Sequence, residues 1–241
     1  MRAEIRHQLK QDKFSRTTFQ VAEQTVHWTV EHKSTLIVSV IAVVVLAAAL
    51  AGSWYYIDQQ DDKASVDFGK AVQTLDMPLR PAGMPAQPDY PSFASSTERA
   101  TEARKQFQAI VDKYPHTRSA DFSRYFLGVT SSSLGDNTAA EHELKAVADS
   151  RNSDLSALAK LALASVYRNA NRTQDAVGLY KQLIAKPTET VGKSAAEIQL
   201  AETYQAAGMN ADAKKQYEQI QKDDPKSPAA QLAGEKLQQL K

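Results

Sequence analysis

The chain has 241 residues, with 29 Lys and Arg against 28 Asp and Glu, so no field of one sign exists to draw it onto nucleic acid. It contains no Cys, which excludes disulfides, thiolate metal sites, a Cys nucleophile and a lipid-bearing Cys. Only 9 Gly are present, too few for many phosphate-cradling loops or a turn-rich β fold, while abundant Ala, Gln, Leu, Lys and Glu suit helices.

In chain order, residues 1–35 carry Arg2, Arg6, Lys10, Lys13, Arg16 and Lys33 and contain neither Pro nor Gly. Ile5 and Leu9 lie one helical turn apart. Val21, Thr25 and Trp28 fall along one face, with Val26 and Val30 beside it. A helix running towards the next segment and a solvated basic tail beside anionic lipid both fit this leader.

Leu36–Ile57 reads LIVSVIAVVVLAAALAGSWYYI, 22 residues without a charge. As a helix it spans roughly 33 Å, the hydrocarbon thickness of a bilayer. Trp54, Tyr55 and Tyr56 cluster at its end, where amphipathic rings prefer the headgroup level. The basic leader precedes it, and Asp58, Asp61 and Asp62 follow. The positive-inside rule therefore predicts a cytoplasmic N-terminus, with residues 58–241 across the membrane. Ala49-Leu50-Ala51 has the small residues of a signal-peptidase site. The long leader and the apolar run beyond that site favour an uncleaved signal anchor instead.

The second half repeats itself. Leu127-Gly128 is followed by Ser131, Gly135, Ala140, Leu144 and Val147. Leu163-Ala164 is followed at the same offsets by Tyr167, Asn171, Ala176, Tyr180 and Leu183, and Leu200-Ala201 by Tyr204, Gly208, Ala213, Tyr217 and Ile220. The steps between copies are 36 and 37 residues. The pattern predicts helical hairpins. A small residue lets two helices approach, Gly or Asn takes a left-handed turn, and the second helix packs one face inward. A lone hairpin cannot cover its apolar face, so such units stack.

A fourth copy is legible upstream, where Ala103, Phe107, Ile110 and Pro115 match a second helix. Phe68-Gly69 and Val72 match its first helix, read as residues 58–76 and set apart by a proline-rich insertion, 77–96. Pro228–Leu240 suits a capping helix. The expected fold is all-α: one membrane-spanning helix, then a right-handed α-solenoid of about 3.5 hairpins plus a cap.

No catalytic or metal constellation is visible. His7, His27, His32, His116 and His142 form no pair at metal-ligand spacing, and no GxSxG, GxxxxGK[ST] or GxGxxG occurs. Asn171-Arg172-Thr173 is a formal glycosylation triplet that reads better as a repeat turn. A non-enzymatic protein without cofactor, metal or small-molecule substrate is expected.

The order Leu-Gly, Tyr, Gly, Ala, aromatic, Pro resembles the tetratricopeptide repeat, with Pro115 and Pro225 as terminal prolines. The match departs in its longer period and in Asn152 and Thr188 at proline positions, with Pro187 one residue away. The resemblance implies a groove lined by the first helices. By register it implies Phe122, Tyr125, Val129 and Ser132, then Leu158, Leu161, Ser165 and Arg168, then Ala195, Ile198, Glu202 and Gln205. Register alone leaves open that some of these belong to the inter-helix core. Val129, Ser165 and Glu202 stand where relatives that clamp a terminal carboxylate place Asn, so an apolar or extended segment is the expected guest.

The layout as a whole, basic leader, single span and degenerate repeats, resembles the ancillary subunits of the bacterial SecYEG translocon. That resemblance implies a scaffold in the cytoplasmic membrane whose domain lies in the periplasm. Its partners would be the Sec translocon, periplasmic chaperones or secretory clients, with no nucleic acid. A coordinator of cell-envelope assembly or division is the alternative.

Overall fold

The computed structural model describes residues 33–85 and 91–240. The helical reading of the leader through Val30, and Pro88 of the insertion, fall outside the described residues. Nine helices occur among the described residues: α1 (Lys33–Asp76), α2 (Ser96–Lys113), α3 (Arg118–Ser133), α4 (Asn137–Ala148), α5 (Ser153–Asn169), α6 (Thr173–Ala185), α7 (Lys193–Ala206), α8 (Asn210–Asp223) and α9 (Pro228–Gln239). An isolated bridge between Leu79 and Phe93 accompanies them.

The chain divides into two compact units, Met1–Tyr56 and Ile57–Lys241. In the first, Ile37, Val40, Val44, Leu46, Leu50 and Trp54 of α1 are all exposed. Helix α1 is long and apolar enough, by length and composition, to cross a membrane.

The second unit is a stack of hairpins: the rest of α1 with α2, α3 with α4, α5 with α6, and α7 with α8, closed by α9. Their interiors repeat as the sequence does. Ala140, Ala176 and Ala213 are fully buried, as are Leu144, Tyr180 and Tyr217 four residues on. Val147, Leu183 and Ile220 complete that face at 2% exposure each. The small residue of the first helix sets the separation. A Cβ added at Gly128 would lie 2.6 Å from Leu144 Cγ, so α3 and α4 meet across a position without a side chain.

The three hairpins after the first turn by one device. Gly135, Asn171 and Gly208 have φ of 80°, 58° and 72°, the left-handed region that Gly and Asn enter most cheaply. Around each, one N–H returns to a carbonyl three residues back and the next to one five back: Gly135 to Ser132 and Asp136 to Ser131, Asn171 to Arg168 and Arg172 to Tyr167, Gly208 to Gln205 and Met209 to Tyr204. This Schellman closure satisfies carbonyls that the helix end would otherwise leave bare. At the starts of α2, α3, α4, α5 and α9 the bare groups are N–H donors, and Ser95, Thr117, Asp136, Asn152 and Ser227 accept from them.

The long period has a visible use between α6 and α7. Val191 reaches into the core at 1% exposure, and Thr190 donates its N–H and hydroxyl to Asp154 of the preceding repeat. The connection Met77–Ser95 is closed at its neck. There Arg80 N–H donates to Phe93 O at 2.9 Å, Phe93 N–H to Pro78 O at 3.1 Å, and the Arg80 guanidinium to Ser92 O at 2.8 Å. At the far end, α9 begins like α3, since Ser227 caps Ala230 as Thr117 caps Ala120. In that register Leu237 matches Leu127, but Gln238 stands where α3 has Gly128.

Candidate protein-interaction groove

First helices touch across repeats, α3 with α5 and α7 with α9, and no comparable contact joins the second helices among the described residues. These are the helices on which the register places the expected groove.

On α3, Phe122, Tyr125, Val129 and Ser132 are half-buried. Phe122 rests against Phe68 of α1, with ring centroids 6.2 Å apart, and Tyr125 meets Phe126 edge-on at 5.3 Å. Burial pushes the Tyr125 phenol up from its ordinary range. Beside Phe122 a hollow of about 450 Å³ is bordered by Arg118, Asp121, Asp149 and Arg151. Burial raises the Asp121 carboxyl, and Asp61 adds to this while Arg124 opposes it.

On α5, Leu158, Leu161, Ser165 and Arg168 are half-buried. The Ser165 hydroxyl donates back to Leu161 O at 3.3 Å, and Arg168 donates to Gln199 Oε1 at 3.2 Å. On α7, Ala195 is exposed, whereas Ile198 is only 7% exposed and packs with Ala201, Tyr217 and Ala233. Ile198 thus serves chiefly the inter-helix core. Glu202 accepts from Gln199 Nε2 at 3.1 Å and pairs with Lys236 of α9 at 3.5 Å. Gln205 accepts the Tyr217 hydroxyl at 3.2 Å. Burial first, and the charge of Glu202 second, push the Tyr217 phenol up to about 12.

The twelve positions do not form one site. Leu161, Ser165, Ala195 and Ile198 share an open hollow of about 510 Å³, while Phe122 borders the charged one. Sequence reading passed over the wall supplied by α9, where Ala229 and Leu232 face Leu161 and Ala195 across the hollow. The signal was present: Leu232 follows Ala195 by the same 37 residues that separate Ala195 from Leu158. No group of three or more His, Asp or Glu suited to a metal ion occurs among the described residues.

A sequence model described as a tetratricopeptide repeat-like domain matches residues 26–241. The chain belongs to this tetratricopeptide repeat-like family. No curated protein matches it significantly. Among solved structures it is similar to a crystal structure of the nearly identical TPR-like repeats of a Podosopora anserina kinesin light chain. The identity is 17%, the TM-score 0.56, and the match covers 75% of this chain and 85% of that one. At that identity the likeness shows the fold alone: an all-helical stack of tetratricopeptide-type hairpins. Tetratricopeptide-like repeats are protein–protein interaction scaffolds, and the surface built here is of that kind.

Proposed function

We propose that this tetratricopeptide-like protein is anchored in the cytoplasmic membrane by residues 36–57, N-terminus inside, and holds protein partners at the outer face of that membrane as an ancillary subunit of the Sec translocon. The observation that carries the reading is α1 itself. One helix, Lys33–Asp76, contains an apolar stretch with none of its most hydropathic window buried, and then supplies Phe68 and Ala71 to the first repeat. Tethering raises the local concentration of a weakly held guest, and modest groove affinity then suffices.

The test is photocrosslinking in intact membranes from Val40 or Val44 of the span and from Tyr125 of the groove. Translocon subunits captured from the span, with chaperones or secretory chains captured at Tyr125, support the proposal. Envelope-assembly or division proteins at Tyr125, with nothing specific at the span, would overturn the translocon assignment and leave α1 as a tether.

A further inference from the structure

Two successive hairpins carry one surface cluster with its charges reversed. Lys160, Gln182 and Lys186 of the α5–α6 hairpin recur 37 residues on as Glu197, Gln219 and Asp223, and Ser156 recurs as Lys193. The later copy is complete in itself. Its Lys193 ammonium lies 3.3 Å from Glu197 and 2.8 Å from Asp223, while Gln219 donates to the other Asp223 oxygen. A cation of the chain thus sits between two carboxylates.

The earlier copy has two cations and nothing between them. Lys160 and Lys186 border one open hollow of about 320 Å³, with Ser153, Ser156, Gln182 and Thr188 also on its walls and no Asp or Glu among the lining residues. Neither lysine has an ion pair or a side-chain hydrogen bond among the described residues. Ser156, at the place of Lys193, carries no charge, and its hydroxyl donates to Ala148 O. One repeat upstream, Lys160 is matched by Arg124, which has Asp121 at 3.5 Å. The residue matching Asp121 beside Lys160 is Ala157. Of the three copies, this one leaves its cations without a counter-ion from the chain.

Two ammonium groups bordering one hollow repel, and an anion held between them removes the repulsion. A phosphate dianion fits the groups on offer. Its charge of about −2 balances both lysines, and its oxygens meet donors in the two lysines, the Gln182 amide and the Ser153 hydroxyl. A single carboxylate would leave one lysine uncompensated. None of the twelve expected groove positions borders this hollow.

We infer that the hollow between α5 and the end of α6 is a binding site for a phosphate-type dianion, taken either as the free ion or as a soluble monoester. The next repeat shows the same site filled with opposite sign by the chain itself. The site goes beyond the scaffold reading and does not depend on the membrane or on the translocon.

The test is titration calorimetry of the full-length protein in dodecyl maltoside micelles, with inorganic phosphate and glycerol phosphate as probes at constant ionic strength. Lys160 is half-buried and Lys186 exposed, so Lys160→Gln and Lys186→Gln leave the repeat core intact, which an unchanged melting temperature in phosphate-free buffer confirms. Saturable one-site binding is expected in wild type, weakened about tenfold or more by each variant. Lys181→Gln, at an exposed position outside the hollow, should stay within about twofold of wild type. Lys160→Glu gives Lys186 a counter-ion from the chain, so it should abolish binding without lowering the melting temperature.

Tighter binding of the monoester supports the site and names the ester as its occupant; equal affinities support it with the free ion as occupant. Absence of saturable binding in wild type overturns the inference, as does unchanged affinity in Lys160→Gln and Lys186→Gln. An equal loss in Lys181→Gln overturns it too, because general charge attraction then explains the binding. So does acetate that binds as tightly as phosphate, because a single negative charge then suffices and an acidic side chain of a partner becomes the occupant.

Discussion

Two tyrosines at the same repeat position differ by one hydroxyl partner. The Tyr217 hydroxyl donates to Gln205, whereas that of Tyr180 is buried without a hydrogen bond among the described residues. The residue matching Gln205 one repeat earlier is Arg168, which turns to Gln199 instead. Removing a satisfied hydroxyl costs about 1 kcal/mol, while removing an orphaned one relieves a desolvation penalty. Tyr217→Phe should therefore lower the thermal midpoint, and Tyr180→Phe should leave it unchanged or raise it, as calorimetry on the pair would show. Gly208 offers a second contrast. Its φ of 72° makes Gly208→Ala cost about 1–2 kcal/mol, whereas Asn171→Gly at the matching turn should be nearly neutral. Chemical denaturation midpoints of the two variants decide this, and equal losses would refute the shared turn.

Close approach between elements is set unevenly along the stack. The hairpin α3–α4 uses Gly128 against Leu144, while the next two use Ala164 and Ala201. Gly128→Ala should be destabilising despite alanine's helix propensity. Crowding costs about 1–3 kcal/mol, against about 1 kcal/mol returned by the helix. Calorimetry should show a midpoint a few degrees lower; an increase would mean that Leu144 can step aside. The first hairpin depends instead on aromatic packing. Phe68 of α1 lies 6.0 Å from Phe107 and 5.7 Å from Phe126 between ring centroids. Truncating such a ring costs about 3 kcal/mol or more, so Phe68→Ala should loosen α1 from α2 and α3. Faster hydrogen exchange over residues 96–133 would report it, and unchanged exchange would mean that α1 is dispensable to the repeat.

Across the whole molecule, repeats are also joined by surface ion pairs in register. Arg104 meets Asp136 at 3.0 Å, and one repeat later Glu141 meets Arg172 at 2.6 Å beside Lys145 and Tyr167. Lys145 first, then Arg172 and Tyr167, hold the Glu141 carboxyl below its ordinary range. The N–H of Ala139 first, then Arg104, does the same for Asp136, as Lys193 does for Asp223. A carboxyl depressed in the folded state stabilises above its unfolded value and loses that contribution as pH falls through the folded one. The melting temperature should therefore drop as pH falls from about 6 to about 3. Glu141→Gln should flatten that drop, and high salt should shrink it, since the pairs are largely exposed. The raised carboxyl of Asp121 works in the opposite sense and blunts the fall.

What could be read from sequence follows the same scale. The hairpins were legible because Gly135, Asn171 and Gly208 and the alanines behind them recur at fixed offsets. The hollow beside Ala195 and Leu232 was not, because it depends on the side chain that is small where its row is otherwise large, and on α9, whose polar surface reads as a cap. Ile198 lies on the predicted row yet turns into the core, since register cannot divide a helix between two neighbours. The closed neck at Arg80 and Phe93 left no periodic mark at all.

Gln238 decides how the array could grow. A hairpin needs Gly or Ala at that point for its second helix to approach, so extra units fused after α9 would find the junction obstructed by a long polar side chain. Units duplicated internally, from one left-handed turn to the next, would meet seams already built to receive them. Any lengthening of this scaffold, natural or engineered, should therefore occur by insertion within the stack and carry α9 outward unchanged.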